Sequence, residues 1–160
     1  MRVLVVDDDS VSRTVVVLLL SKHGFQVDEA KSGIQSLGMT RHAFYDFILM
    51  DIKMPEMNGF DAARAIINSK GPCAKSPIVA LSGLVREDDR QKAFSSGMRG
   101  FLRKPFSVKE TLKLFEAITL EQKMMPATLG YLADESPTLK KHSVSVIPGS
   151  VSSSSPKAFQ

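Results

Sequence analysis

The chain has 160 residues, 43% hydrophobic and 24% charged, enough to bury one ordinary core and too few for two. Its net charge of +4 is small and spread along the chain, so composition makes no case for direct nucleic-acid binding. The single cysteine, Cys73, excludes an internal disulfide, and no segment approaches the roughly 20 apolar residues needed to cross a bilayer.

Five short apolar runs alternate with amphipathic stretches. The first, Val3–Asp7, is too brief for a signal peptide and runs straight into acids. A helix follows, with Ser10 as its expected cap, extending to His23 and stopping at Gly24. The second run is Phe25–Ala30, and Ser32 with Gln35 has the spacing of a capping box for the next helix. The third is Phe47–Asp51, after which Asn58-Gly59 opens a helix. The fourth is Ile78–Ser82, followed by Glu87-Asp88-Asp89, acids that favour a helix N-terminus. The fifth is Gly100–Arg103, and Ser107 with Glu110 again has capping-box spacing. Strict alternation of five strands and five helices predicts an open, doubly wound α/β sandwich with a parallel sheet. Nearly continuous hydrophobicity in several strands fits burial on both faces.

Beyond about Leu120 the pattern lapses: Pro126, Pro137, Pro148 and Pro156 recur, and 151–156 is serine-rich. Residues 1–120 are therefore expected to form the domain and 121–160 a disordered tail.

Ligands of such sheets bind beyond the carboxyl ends of the strands. Strand one ends in Asp7-Asp8-Asp9, strand three in Asp51 and strand four in Ser82, and Lys104-Pro105 follows strand five. Acids, a hydroxyl and an ammonium would converge on one crevice. Clustered carboxylates repel one another unless cations compensate, and a hard divalent ion such as Mg²⁺ prefers oxygen ligands. With Mg²⁺ and Lys104 balancing Asp7, Asp8 and Asp51, the crevice could receive an anionic phosphoryl group on Asp51. Each piece alone has an ordinary reading, as a helix-end acid, a loop hydroxyl or a surface lysine. Their joint placement argues for the site.

Four pieces in this order, Val6-Asp7-Asp8, Leu49–Gly59, Ala80-Leu81-Ser82-Gly83 and Phe101–Phe106, resemble a response-regulator receiver domain over about residues 1–120. The resemblance implies a flavodoxin-like fold with strand order 2-1-3-4-5. It makes Asp51 the phospho-acceptor, Asp7 and Asp8 metal ligands with Asp51, and the Lys53 backbone carbonyl a further ligand. Ser82 becomes the switch hydroxyl, Lys104 the active-site lysine, and Phe101 the switch aromatic, a position more often tyrosine. The Lys104–Pro105 bond is expected to be cis, and Lys53 and Leu84 occupy positions that tune acyl-phosphate hydrolysis. Phosphorylation would draw Ser82 inward with the loop Gly83–Arg86, turn Phe101 into the space vacated, and alter the face from Glu87 to Leu120.

The implied role is phosphorelay signalling, with a histidine kinase or histidine phosphotransfer protein as donor and an effector downstream. No turnover is implied beyond the chain's own phosphorylation and dephosphorylation. The expected location is cytoplasmic, with the nucleus as an alternative, and no membrane partner is expected. Either a single-domain regulator or a piece of a hybrid kinase fits. Two other functions compete. A phosphorylation-independent interaction module would not need the intact site. A phosphohydrolase resembling the haloacid dehalogenases needs a second aspartate two residues after the nucleophile, where this chain has Lys53. His23, His42 and His142 form no ligand cluster, and Cys73 has no histidine base in sequence reach.

Overall fold

The computed structural model describes residues 1–83 and 86–124, together with the backbone of 144–146. The elements run β1 (Arg2–Val6), α1 (Ser10–Ser21), β2 (Gln26–Ala30), α2 (Gly33–His42), β3 (Phe47–Asp51) and α3 (Gly59–Ile67). They continue with β4 (Ile78–Ser82), α4 (Glu87–Ser95), β5 (Gly100–Arg103), α5 (Val108–Met124) and β6 (Val144–Val146). Strands β1 to β5 are parallel in the order β2-β1-β3-β4-β5, the flavodoxin-like arrangement expected from the sequence.

Side-chain alternation along the central strands divides the core in two. Leu4, Val6, Ile48, Met50, Ile78 and Ala80 face α2, α3 and α4 with Ala62, Ala63, Ile66 and Ala93. Val3, Val5, Leu49, Val79 and Leu81 face α1 and α5 with Val16, Leu20, Leu114 and Ile118. Phe115 of α5 stacks on Phe47 of β3 with ring centroids 3.8 Å apart. Both layers are lined by buried apolar side chains, which is why the strands read as unbroken apolar runs.

Most helix boundaries follow the local signals. Ser32 caps α2 by accepting from the Gln35 amide, and Asn58 caps α3 by accepting from the Asp61 amide. Ser107 and Glu110 exchange hydrogen bonds as a full capping box at α5. Gly24, at φ +83°, ends the first helical segment as a left-handed residue.

Three helix boundaries differ from expectation, and β1 and β2 each start one residue away from the apolar runs Val3–Asp7 and Phe25–Ala30. Asp9, not Ser10, caps α1, because its carboxylate accepts from both Val11 and Ser12 amides and a carboxylate is the stronger acceptor. Helix α1 closes at Ser21, two residues short of His23. Helix α5 runs past Leu120 to Met124, since nothing in Glu121-Gln122-Lys123-Met124 breaks a helix before Pro126.

No element is expected beyond residue 120, yet β6 pairs antiparallel with β5. Its Val-Ser-Val pattern is too short to register as a strand by periodicity alone. The rest of the expected tail, including His142 and the serine run, lies outside the described residues.

Candidate functional site

Strands β1 and β3 are neighbours whose carboxyl ends stop level, with Val6 opposite Met50. Asp7 and Asp51 therefore emerge side by side. Asp7, Asp8 and Asp51 each place a carboxylate oxygen within 4.8 Å of the others. Asp7 is fully buried and Asp8 exposed, whereas the Asp51 side chain retains 13% exposure, enough to be reached from solvent.

Lys104 follows β5, and its peptide bond to Pro105 is cis. Its Nζ donates to Asp7 Oδ2 at 2.6 Å and to Asp51 Oδ2 at 3.0 Å, bridging the two acids. Backbone bonds hold the lysine there, because the Lys104 amide donates to the Ser82 carbonyl at 2.8 Å. Ser82, buried at the end of β4, stands one residue beyond Leu81, the register partner of Asp51. It shares a sheet face with Ala80, which is opposite Phe101. Lys53 contributes its amide to Asp51 Oδ1 at 3.1 Å.

Burial pushes the Asp51 carboxyl above its ordinary value of 3.8, against the opposing pull of the Lys53 amide and Lys104. Burial also pulls Lys104 down, but its hydrogen bonds to Asp7 and Asp51 outweigh that and leave it raised. The Asp51 charge thus costs folding stability. A raised carboxyl favours the fold below its unfolded value and loses that advantage as pH rises through the folded one. Without divalent metal, Asp51→Asn is expected to raise the urea midpoint near neutrality. The gain should shrink to nothing below about pH 3.8; a gain that persists there contradicts this origin.

Several supporting residues carried no recognisable signal in the sequence. Ser12 Oγ donates to Asp7 Oδ2 at 2.7 Å, and the Asp9 amide to Asp7 Oδ1 at 3.0 Å. Arg13 donates to the Asp7 carbonyl at 2.7 Å and is held by Glu29. With Lys104, the Ser12 hydroxyl and the Asp9 amide satisfy a carboxylate that burial would otherwise penalise heavily. After β3, a Met57 amide bond to the Pro55 carbonyl at 2.7 Å closes a tight turn around Glu56, which is left-handed at φ +63°. Gly59 then passes so close to Asp51 that a Cβ there would sit 2.2 Å from the Asp51 carbonyl oxygen. In the sequence Gly59 stands only as a helix start and the end of the Leu49–Gly59 motif.

Phe101, the expected switch aromatic, lies inside the core. It is 1% exposed and packed in the α3–α4 layer. A phenyl ring has no hydroxyl to draw it toward water, which suits this burial. Leu84 and Val85 of the loop expected to move lie outside the described residues.

The donors fit Mg²⁺. They are oxygens only, and one ammonium leaves three carboxylates undercompensated. Among the described residues no helix is long and apolar enough to cross a membrane.

A doubly wound parallel sheet carrying a carboxylate–ammonium cluster at its carboxyl edge defines the class of the domain. Residues 3–116 match the response regulator receiver domain profile, and the chain belongs to that family. It is 32% identical over 123 residues to the cell cycle transcriptional regulator CtrA of Caulobacter vibrioides, covering 77% of this chain and 52% of that protein. It thus spans about half the length of the curated relatives it matches. Chemotaxis protein CheY4 of Vibrio cholerae superposes with a TM-score of 0.68 at 30% identity, over 73% of this chain and 97% of that one. The receiver domain of sensor histidine kinase PA1611 from Pseudomonas aeruginosa, solved with magnesium in its active-site cleft, has a TM-score of 0.67 at 31% identity. That match covers 72% of this chain and 94% of the other. The chain is a receiver domain of two-component signalling.

Proposed function

We propose that residues 1–120, with the end of α5, accept a phosphoryl group on Asp51 and transmit its arrival to the face formed by α4, β5 and α5. The observation that carries this is the Lys104 bridge: one ammonium joins a satisfied, buried Asp7 to a partly exposed Asp51 that two other carboxylates crowd. A structural ion pair needs no third acid. A phosphoryl acceptor does, because it must bring cations to an anionic donor.

Asp7, Asp8, Asp51 and the Lys53 carbonyl would hold Mg²⁺, which supplies positive charge to the phosphoryl oxygens. A carboxylate oxygen of Asp51 attacks phosphorus, and the bond between phosphorus and the donor's leaving atom breaks with its electron pair staying on the donor. Lys104 keeps its charge and moves from carboxylate toward the incoming oxygens. Ser82 stands on the adjacent strand end to donate its hydroxyl to them. Its carbonyl already holds the Lys104 amide, so a shift of Ser82 pulls on the end of β5. Helix α4 buries only Ala93 among its own residues and has no side-chain cap, so it yields most readily. The signal would therefore pass through the β5 backbone and α4, with Phe101 on β5 as the switch aromatic.

The donor would be a histidine kinase or phosphotransfer protein, with an effector protein reading the altered face. A location in the cytoplasm or nucleus suits that exchange. Incubation with acetyl phosphate and Mg²⁺, followed by intact-mass measurement, is expected to add one phosphoryl group to the wild type and none to Asp51→Asn. Equal addition to both removes Asp51 as the acceptor. No addition to either, with a histidine-phosphorylated donor also failing, favours a phosphorylation-independent module.

A further inference from the structure

An edge strand presents a row of unpaired N–H and C=O groups, which sheets usually blunt with charge or cover. The β2 edge of this sheet is blunted, because Gln26, Asp28 and Glu29 interrupt it. The β5 edge is not. Gly100, Phe101 and Leu102 are apolar and buried, and only Arg103 is exposed. That edge is taken by β6, with Val146 opposite Gly100, Ser145 opposite Phe101 and Val144 opposite Leu102. The β6 backbone also approaches α5.

We propose that residues 144–146 are a tethered cover strand, occupying in cis the face that a partner engages and leaving it when Asp51 is loaded. The displacement rests on the phosphoryl-acceptor reading; the cover strand does not.

Reach is ample. Helix α5, with 17 residues, is about 25 Å long, and a chain the length of 125–143 can extend to about 60 Å. Covalent linkage presents the strand to its edge at an effective concentration on the order of millimolar. Three residues can then hold an edge that a free tripeptide would not. The same brevity makes the strand easy for a folded partner to displace.

Position links the cover to the site. Ser145 pairs with Phe101, three residues before Lys104, and the Lys104 amide ties the end of β5 to Ser82. Displacing Ser82 toward a phosphoryl group therefore strains the strand that β6 rests on. A partner adding its own strand, or packing between α4 and α5, would meet β6 first.

Hydrogen exchange on the full chain tests this, using wild type, Ser145→Pro and Val144→Pro, which between them remove a donor from each phase of an antiparallel ladder. At least one variant is expected to exchange roughly tenfold faster than wild type across 100–104, a loss of about one ladder bond's protection. Strands β1 and β3 should be unchanged. Equal exchange across 100–104 in all three chains overturns the cover strand. Protection that falls on dilution identifies a second copy as the occupant and overturns it equally. Adding beryllofluoride with Mg²⁺ to the wild type should protect 51–59 and deprotect 144–146. Protection at 51–59 with 144–146 unchanged removes the displacement. No protection at 51–59 removes the acceptor reading and the displacement with it, while the comparison without beryllofluoride still decides the cover strand.

Discussion

Lys104→Met is expected to slow phosphoryl uptake from acetyl phosphate by about 10²–10³-fold, the usual loss when one preorganised charge donor is removed from a developing anion. The same substitution should tighten Mg²⁺ binding. Lys104 Nζ now occupies Asp7 Oδ2 and Asp51 Oδ2, two oxygens of the acid cluster, so the metal competes with it for their charge. The methionine variant leaves three carboxylates with no internal cation, which favours a divalent ion further. Slower uptake with tighter metal binding separates electrostatic assistance from simple damage to the site. If uptake and metal affinity fall together, the lysine's role is to hold the site in shape. Uptake at the wild-type rate would remove it from the chemistry.

Gly59→Ala should destabilise the fold by about 3 kcal/mol, near the upper end of ordinary overpacking costs. The added Cβ would stand 2.2 Å from the Asp51 carbonyl oxygen and 2.9 Å from both the Asp51 carbonyl carbon and Ile52 Cα. These are backbone atoms at the end of β3 and of the residue after it, and none can swing aside as a flexible side chain would. Either α3 tilts away, or the end of β3 moves and takes Asp51 with it. Urea denaturation measures the first cost, and intact-mass loading of whatever remains folded measures the second. A variant with the wild-type midpoint and loading would show that the loop from Ile52 to Asn58 absorbs the clash freely.

Both variants act where the sequence was uneven in what it disclosed. Asp51 and Lys104 could be named because their chemistry is uncommon at strand ends and because four short motifs fell in the right order. Ser12 and Arg13 were overlooked, since a serine and an arginine on a helix have many ordinary uses. What makes them matter is that α1 swings back over β1, so that Ser12 Oγ and the Arg13 guanidinium meet Asp7. Phe101 could be placed but not oriented. Its burial depends on the α3–α4 layer around it, which no local pattern describes.

Local information determined the alternation of strands and helices, the parallel sheet and most of the caps, because these depend on side-chain period and on hydrogen bonds within a few residues. It also determined which residue types stood at the strand ends, and hence the class of chemistry. Tertiary structure alone decided the bridge of Lys104 between two acids, the donors that satisfy Asp7 and the approach of Gly59 to Asp51. It also decided the pairing of 144–146 with β5. Each of these joins residues distant in the chain or turns on an ångström-scale clearance. Spacing along a sequence does not encode a distance across a fold.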